Sequence, residues 1–205
     1  MYIPSSNEMT DHQEQISFMT RYNFATLITN VAGVPTASHL PMVIVTQEHG
    51  ERVVIQGHFA KNNDQWQHIV EQENLVIFSQ PHAYISPKFY DAKLSVPTWN
   101  YLAVHAYGKG QIISELSDVE KHLDALALQH DPDYKAKWDQ YPQDYKTNLA
   151  KGIVVFEILV DRVEGKKKLS QNKSNIEKEK IISGLEASAD VNERDLAEYM
   201  SAAKS

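Results

Sequence analysis

The 205-residue sequence predicts a mainly β protein: a small antiparallel barrel with helices inserted at its ends and a helical tail at its C-terminus. Three observations carry that expectation. Segments rich in Val, Ile, Thr and Phe recur through the first 160 or so residues with strand-like composition. Several are joined by connections so short that antiparallel neighbours are easier to form than parallel ones. Helix-like stretches fall between strands, which suits the ends of a rolled sheet better than an open one.

The chain opens with a helix signal. Thr10-Asp11-His12-Gln13 has the form of a capping box, and Ile16, Met19 and Tyr22 fall on one helical face. The period then changes. Residues 24–29, 35–46, 52–58 and 74–79 read as strands, punctuated by the turn-formers Ala32-Gly33 and Glu48-His49-Gly50-Glu51. Residues 63–73 are short and helix-like, with Trp66, Ile69 and Val70 on one side. Residues 95–113 read as one long strand, bent or bulged at Gly108 or Gly110. Its alternation sets Trp99, Tyr101, Ala103, His105 and Tyr107 on one face, and Asn100, Leu102, Val104 and Ala106 on the other.

Ser117-Asp118-Val119-Glu120 is a second capping box, opening a helix that turns Val119, His122, Leu123 and Leu126 inward. After a Pro- and Tyr-bearing stretch at 131–142, a short helix leads to the last strand, 152–163. Beyond Gly165 the composition shifts: 166–180 is lysine-rich, and helices near 175–185 and 190–203 carry a thin apolar stripe. The expected organisation is a barrel domain over 1–165, with 166–205 packed on it as a lysine-rich segment and terminal helices.

Composition narrows the function classes. A chain of this length removes roughly 70% of its unfolded surface from water on folding, so it needs no staples. With no cysteine, disulfides, thiolate zinc sites, iron–sulfur clusters and a cysteine nucleophile are all excluded. Twenty basic against 27 acidic residues give a net charge of −7, which argues against a surface dedicated to coating nucleic acid. No apolar run approaches the ~20 residues of a membrane helix, and the first residues lack a signal peptide's basic and apolar segments. The expected compartment is the cytoplasm, with no membrane partner. There is no Gly-rich dinucleotide fingerprint, phosphate loop, serine elbow or paired-histidine zinc helix. The nine histidines are scattered without ligand spacing, and no metal is expected.

Four clusters carry what chemistry remains. Ser38-His39-Leu40-Pro41 places a proline inside a strand, which calls for an edge or bulge and leaves backbone groups free for a ligand. Gly57-His58-Phe59-Ala60-Lys61-Asn62-Asn63-Asp64 ends a strand beside a lysine and a helix start, an arrangement suited to a phosphate; Asn62, Asn63 or Asp64 serve equally as a helix cap. Pro81-His82-Ala83-Tyr84-Ile85-Ser86-Pro87-Lys88-Phe89-Tyr90 and Val96-Pro97-Thr98-Trp99-Asn100-Tyr101 concentrate polar-tipped aromatics of the kind that wall a flat heterocycle, and that also fill cores and dimer contacts.

At these residues the sequence resembles the PaiB-type FMN-binding negative transcriptional regulators, a family with the FMN-binding split β-barrel fold of the pyridoxamine-phosphate oxidases. The matching blocks run in family order: Met1-Tyr2-Ile3-Pro4, Ser38-His39-Leu40-Pro41, Gly57-His58-Phe59-Ala60-Lys61-Asn62-Asn63, Pro81-His82-Ala83-Tyr84-Ile85-Ser86-Pro87, Val96-Pro97-Thr98-Trp99-Asn100-Tyr101 and Lys168-Leu169-Ser170-Gln171-Asn172. The chain departs from the family where Lys61-Asn62-Asn63-Asp64 replaces arginine, alanine, asparagine and proline. It departs again where Ser79-Gln80 replaces Gln-Gly and where Lys173 stands for arginine. Lys61 keeps the charge without the planar bidentate fork.

The resemblance implies a homodimer with FMN at the subunit interface. It sets the phosphate near Gly57, His58, Lys61 and Asn62. It sets the ring near Ser38, His39, Leu40 and Pro41, with Tyr84, Ile85, Ser86, Trp99, Asn100 and Tyr101. It also implies negative regulation of transcription, by DNA contact or indirectly. No helix-turn-helix or zinc finger is present, and Lys166-Lys167-Lys168 with Lys173, Lys178 and Lys180 is the only basic stretch. Two alternatives stand beside regulation: an FMN-dependent oxidoreductase of a small aromatic or quinone-like substrate, and a haem-binding or haem-degrading split barrel using a histidine such as His39 or His58.

Overall fold

The computed structural model describes residues 1–47, 52–70 and 72–203; the Glu48-His49-Gly50-Glu51 turn lies outside them. Seven strands follow in chain order: β1 Phe24–Val31, β2 Val34–Pro41, β3 Val43–Gln47, β4 Arg52–Ala60, β5 Glu73–Ile85, β6 Thr98–Ile113 and β7 Ile153–Lys168. They form one sheet in the order β2-β1-β5-β6-β7-β4-β3. β1 pairs antiparallel with β2 and β5, and β4 antiparallel with β3 and β7. The residues group into two compact units: a barrel unit of 16–78 and 105–163, and a terminal unit of 1–15, 79–104 and 164–205.

In the barrel unit the β1–β2 hairpin turns at Ala32 and Gly33, whose φ values of 52° and 86° suit a two-residue turn between twisted strands. The expected strand 35–46 is in fact two strands separated by Met42, and they stand at opposite ends of the hydrogen-bonded order. A flat sheet cannot accommodate that. One residue spans at most ~3.6 Å, less than the ~4.8 Å between adjacent strands, so the sheet rolls until its two edges meet at Met42. No β2–β3 ladder closes the seam among the described residues, and the barrel is therefore split.

Its interior holds Leu27, Met42, Ile55, Phe59, Val76, Phe78 and Phe156, all fully buried, with the Phe59 and Phe156 rings 4.9 Å apart. β6 runs on through its glycines, and what glycine permits there is close approach. A Cβ on Gly108 would lie 2.1 Å from the Leu159 carbonyl oxygen, and one on Gly110 would lie 2.7 Å from that of Ile69. The Gly110 N–H donates to that same Ile69 oxygen at 3.0 Å. The alternation along β6 follows the sequence at all but one position: Asn100, Leu102, Val104 and Ala106 are buried and Trp99, Tyr101, His105 and Tyr107 are not, but Ala103, expected with the second set, is buried too.

The 63–73 helix proves shorter, a 3-10 turn over Asp64–His68. Helix α2 (Leu116–His130) starts one residue before Ser117, with Glu115 as N-cap and no side-chain cap bond, so the second capping box lies within the helix and does not cap it. Val119 and His122 face inward as expected, while Leu123 and Leu126, expected with them, are only half-buried. Helix α3 (Pro132–Trp138) occupies the Pro- and Tyr-bearing stretch, because the Asp131 side chain caps it by accepting from the Tyr134 N–H. Helix α4 is Gln143–Ala150.

At the start of helix α1 (His12–Arg21), Asp11 caps in place of Thr10, its carboxylate accepting from the Gln13 and Glu14 N–H groups at 2.8 and 3.0 Å. In the terminal unit β5 continues beyond the expected end at Ser79, through a cis Gln80–Pro81 bond, to Ile85. The β1 ladder covers Leu75 to Ile77, so Pro81 lies beyond it and its missing N–H costs no bond to β1. β7 likewise runs past Val163 to take in Lys166, Lys167 and Lys168. Helices α5 (Asn175–Glu186) and α6 (Val191–Ala202) start at a Ser174/Glu177 capping box and an Asp190 cap, and bury Ile181, Leu185, Leu196 and Met200. Among the described residues no helix is long and apolar enough to cross a membrane.

Candidate functional site

Of the residues singled out by the sequence, Ser38, His39, Leu40, Pro41, Gly57, His58, Lys61 and Asn62 lie in the barrel unit. Tyr84, Ile85, Ser86, Trp99, Asn100 and Tyr101 lie in the terminal unit.

In the barrel unit β2 is an edge strand, which is how it tolerates Pro41. Ser38 faces the 3-10 turn: its Oγ donates to Gln65 Oε1 at 2.7 Å and accepts from Asn63 Nδ2 at 2.9 Å. Gln65 is only 3% exposed, and its amide donates to the Leu27 and Thr36 carbonyls, both at 3.1 Å, and to Thr29 Oγ1 at 3.2 Å. This web ties the loop after β4 to β1 and β2. His39 is exposed, with Nδ1 2.9 Å from Thr26 Oγ1 and its ring stacked on the exposed Phe24. Leu40 and Pro41 are half-buried, and Gly57 is buried against Phe156 and Met42.

The residues after β4 divide their duties. Asn63 is the cap, accepting from the Gln65 N–H at 3.1 Å, and Asp64 accepts from Gln67. Asn62 is thereby left with an exposed amide and no partner among the described residues. Lys61 is also exposed; its Nζ lies 5.2 Å over the Trp66 ring, whose Nε1 donates back to the Lys61 carbonyl, and it makes no ion pair among the described residues. An ammonium and an amide, both without polar partners in one turn, are what a phosphate dianion requires.

His58 turns toward α2, its Nδ1 3.1 Å from His122 Nε2. Burial pushes His58 below the ordinary histidine range. Burial, with the neighbouring His58 adding to it, pushes His122 down to about 4. The pair is therefore neutral at neutral pH, and Lys61, three residues after His58, is the charged side chain of this segment.

In the terminal unit Tyr84 and Trp99 are 49% and 52% exposed, edge-on at 6.4 Å, with His82 5.4 Å from Trp99. Among the described residues neither the Tyr84 hydroxyl nor the Trp99 N–H has a hydrogen-bond partner, so this is an aromatic face with polar tips. Ser86 caps the turn Pro87–Phe89 by accepting from the Lys88 N–H. Ile85 and Asn100 have no exposed surface. Asn100 exchanges hydrogen bonds with Ser170 at 2.9 and 3.1 Å, so it fixes the segment after β7.

The lysine triplet is not a solvated patch. Lys166 is 7% exposed, donates to the Tyr2 carbonyl and lies 5.1 Å over the Tyr101 ring. Lys167 pairs with Glu14 at 2.6 Å, and Lys168 donates to Thr98. Sequence reasoning missed Gln65, whose signal was its place two residues after a capping Asn. It also missed a cleft in the terminal unit on which Pro4, residues 96–98 and residues 168–173 converge.

In the barrel unit the Lys61–Asn62 turn has the chemistry to suit a phosphate, in the terminal unit the Tyr84 and Trp99 face has the chemistry to suit a planar ring, and the rolled, unclosed sheet is a split barrel. The class so defined is a flavin-binding split-barrel protein. The chain belongs to the FMN-binding family whose model, described as "Putative FMN-binding domain", matches residues 1–162, and FMN is its cofactor. It is 35% identical to "Protease synthase and sporulation protein PAI 2" of Bacillus subtilis, over 98% of this chain and 96% of that one. It is 32% identical to "Uncharacterized protein AN0679" of Emericella nidulans, over 73% and 74%. Among solved structures, the FAD and haem binding protein from Mycobacterium smegmatis superposes with a TM-score of 0.63 at 16% identity, covering 87% of this chain and 80% of that one. The flavocytochrome Anf3 from Azotobacter vinelandii gives 0.58 at 14%, covering 76% and 67%. At such identities the likeness speaks for the fold alone.

Proposed function

We propose that this chain is a cytoplasmic, homodimeric FMN-binding regulator that acts on gene expression indirectly, through its ligand state or a protein partner. Lys61 and Asn62 hold the FMN phosphate beside His58. Tyr84, Ile85, Ser86, Trp99, Asn100 and Tyr101, with Ser38 to Pro41, serve the ring, the exposed members by contact and Ile85 and Asn100 by positioning. The observation that carries the reading is the Lys61–Asn62 turn, whose ammonium and amide are exposed and unpartnered among the described residues.

Regulation in preference to metabolism is supported by the Bacillus relative, whose name ties that protein to protease synthesis and sporulation. An indirect route is supported by Lys166, Lys167 and Lys168, whose ammonium groups are already engaged within the terminal unit.

Titration of the flavin-free protein with FMN and with riboflavin, which lacks the phosphate, is the test. FMN binds more tightly than riboflavin to the wild type, and Lys61→Ala erases that preference by weakening FMN about tenfold or more, the worth of one charge-assisted contact. An unchanged FMN/riboflavin ratio in Lys61→Ala, or a Soret band in place of flavin absorbance, overturns the assignment. Sedimentation gives a dimer mass. Promoter DNA shows no salt-dependent binding at low ionic strength.

A further inference from the structure

We propose that the terminal unit carries a second ligand site, for a small carboxylate or phosphate anion, in the cleft of about 480 Å³ whose lining includes Asn7, Tyr90, Thr98, Lys168, Asn172 and Lys173. It shares no residue with the Lys61–Asn62 turn; buried Asn100, assigned above to positioning beside the ring, is the one ring residue in its lining.

The cleft is of ordinary size for a small-molecule site. Among the described residues its lining contains two lysines, of which Lys168 already donates to Thr98, and no Asp or Glu, in a chain whose net charge is −7. The remaining polar groups are hydroxyls and side-chain amides, which accept as well as donate, so the lysines set the sign of the cleft and an anion is the complement.

One of those donors is stranded. The Tyr90 hydroxyl is buried without a hydrogen-bond partner, a condition that buried polar groups rarely tolerate unless something comes to meet them. Burial, the Glu177 carboxylate and Tyr84 together raise the Tyr90 phenol above its usual range, so it remains a proton donor. Lys173 Nζ lies 3.5 Å from the Tyr90 ring centroid and makes no ion pair among the described residues, though its charge helps to hold the Glu177 carboxyl below the usual range. The acid nearest in effect, Glu177, is held by the Ser174 and Asp91 N–H groups. The exposed Asn172 amide has no partner among the described residues.

The segment bearing these groups is held in place. Ser170 adopts φ 58°, the left-handed region uncommon for residues other than glycine, and its Oγ is locked to the buried Asn100. The next three residues, Gln171, Asn172 and Lys173, all line the cleft.

Calorimetric titration of the full-length, FMN-saturated protein with inorganic phosphate and, separately, with malonate tests the site. Saturable binding of either anion is expected; binding of phosphate alone, of malonate alone or of both identifies the source chemistry. Lys173→Gln weakens that binding about tenfold or more, as loss of a charge-assisted contact requires. Lys121→Gln, on the exposed face of α2, does not. Tyr90→Phe deletes a single atom, so it keeps the test independent of folding: it weakens the anion severalfold while leaving the ligand-free melting temperature unchanged or higher. Absence of saturable binding by both anions, or wild-type affinity in Lys173→Gln and Tyr90→Phe, overturns the proposal. Flavin absorbance retained by both variants shows that the outcome is separate from FMN binding.

Discussion

Acidification will destabilise this protein through the buried histidine pair, and the size of the effect follows from the geometry. His122 is 2% exposed, and its Nε2 meets His58 Nδ1 while its own Nδ1 has no partner, so the folded chain has no favourable place for an added proton. In the unfolded chain the ring titrates near 6.5; in the folded chain it titrates near 4. Above pH 6.5 both states hold the ring neutral and the pair is indifferent to pH. Between 6.5 and about 4 the unfolded state takes up a proton that the folded state refuses, so stability falls as pH falls, and the loss levels off below about 4. At about 1.4 kcal/mol per pH unit the full loss is about 3 kcal/mol, of which about 2 kcal/mol is gone by pH 5. His58, also depressed, pulls in the same direction.

Carboxylates titrate in this range too, so the informative quantity is the difference between wild type and His122→Leu. Guanidinium unfolding followed by tryptophan fluorescence at pH 7.5, 6, 5 and 4.5 should show the wild type losing about 2 kcal/mol more than the variant by pH 5. Parallel curves, or an NMR titration of His122 with a midpoint near 6.5, would refute the reasoning.

Two further substitutions probe the scaffold beneath the site. Gln65→Leu strands the Leu27 and Thr36 carbonyls and removes a partner of Ser38. Unfolding experiments should show a loss of about 2–3 kcal/mol, and a change below about 0.5 kcal/mol would mean the web does not hold the loop. Gly110→Ala drives a methyl group into the Ile69 backbone and should destabilise by about 1–3 kcal/mol; an unaltered denaturation midpoint contradicts the close approach.

The fold was readable wherever local chemistry and tertiary need agreed. The Ala32-Gly33 turn, the alternation of β6 and the two terminal helices with their Ser174 and Asp190 caps all follow from residues close in sequence. Where the deciding contact is distant, the pattern misleads. Residues 35–46 form an unbroken strand-like run, and only the rolling of the sheet explains the break at Met42. The Ser117 box has the right composition, yet α2 begins one residue earlier. Lys166-Lys167-Lys168 reads as a solvated run because nothing nearby reveals that Tyr2, Glu14 and Thr98 are waiting for it. At the candidate site, the residue types around Lys61 were legible as an anion cradle. Which of Asn62, Asn63 and Asp64 was the cap was not, since that depends on where Ser38 and Gln65 sit.

The one-residue joint at Met42 dictates where this protein can change length. Its side chain is fully buried and its N–H is bonded to the Asn23 carbonyl. Because strand faces alternate residue by residue, an insertion or deletion there would present the wrong face of β3 to the interior. The exposed Ala32–Gly33 hairpin tip has no such constraint. A reporter peptide grafted for tracking the protein in cells belongs at that tip, and a length variant at the joint would be lost.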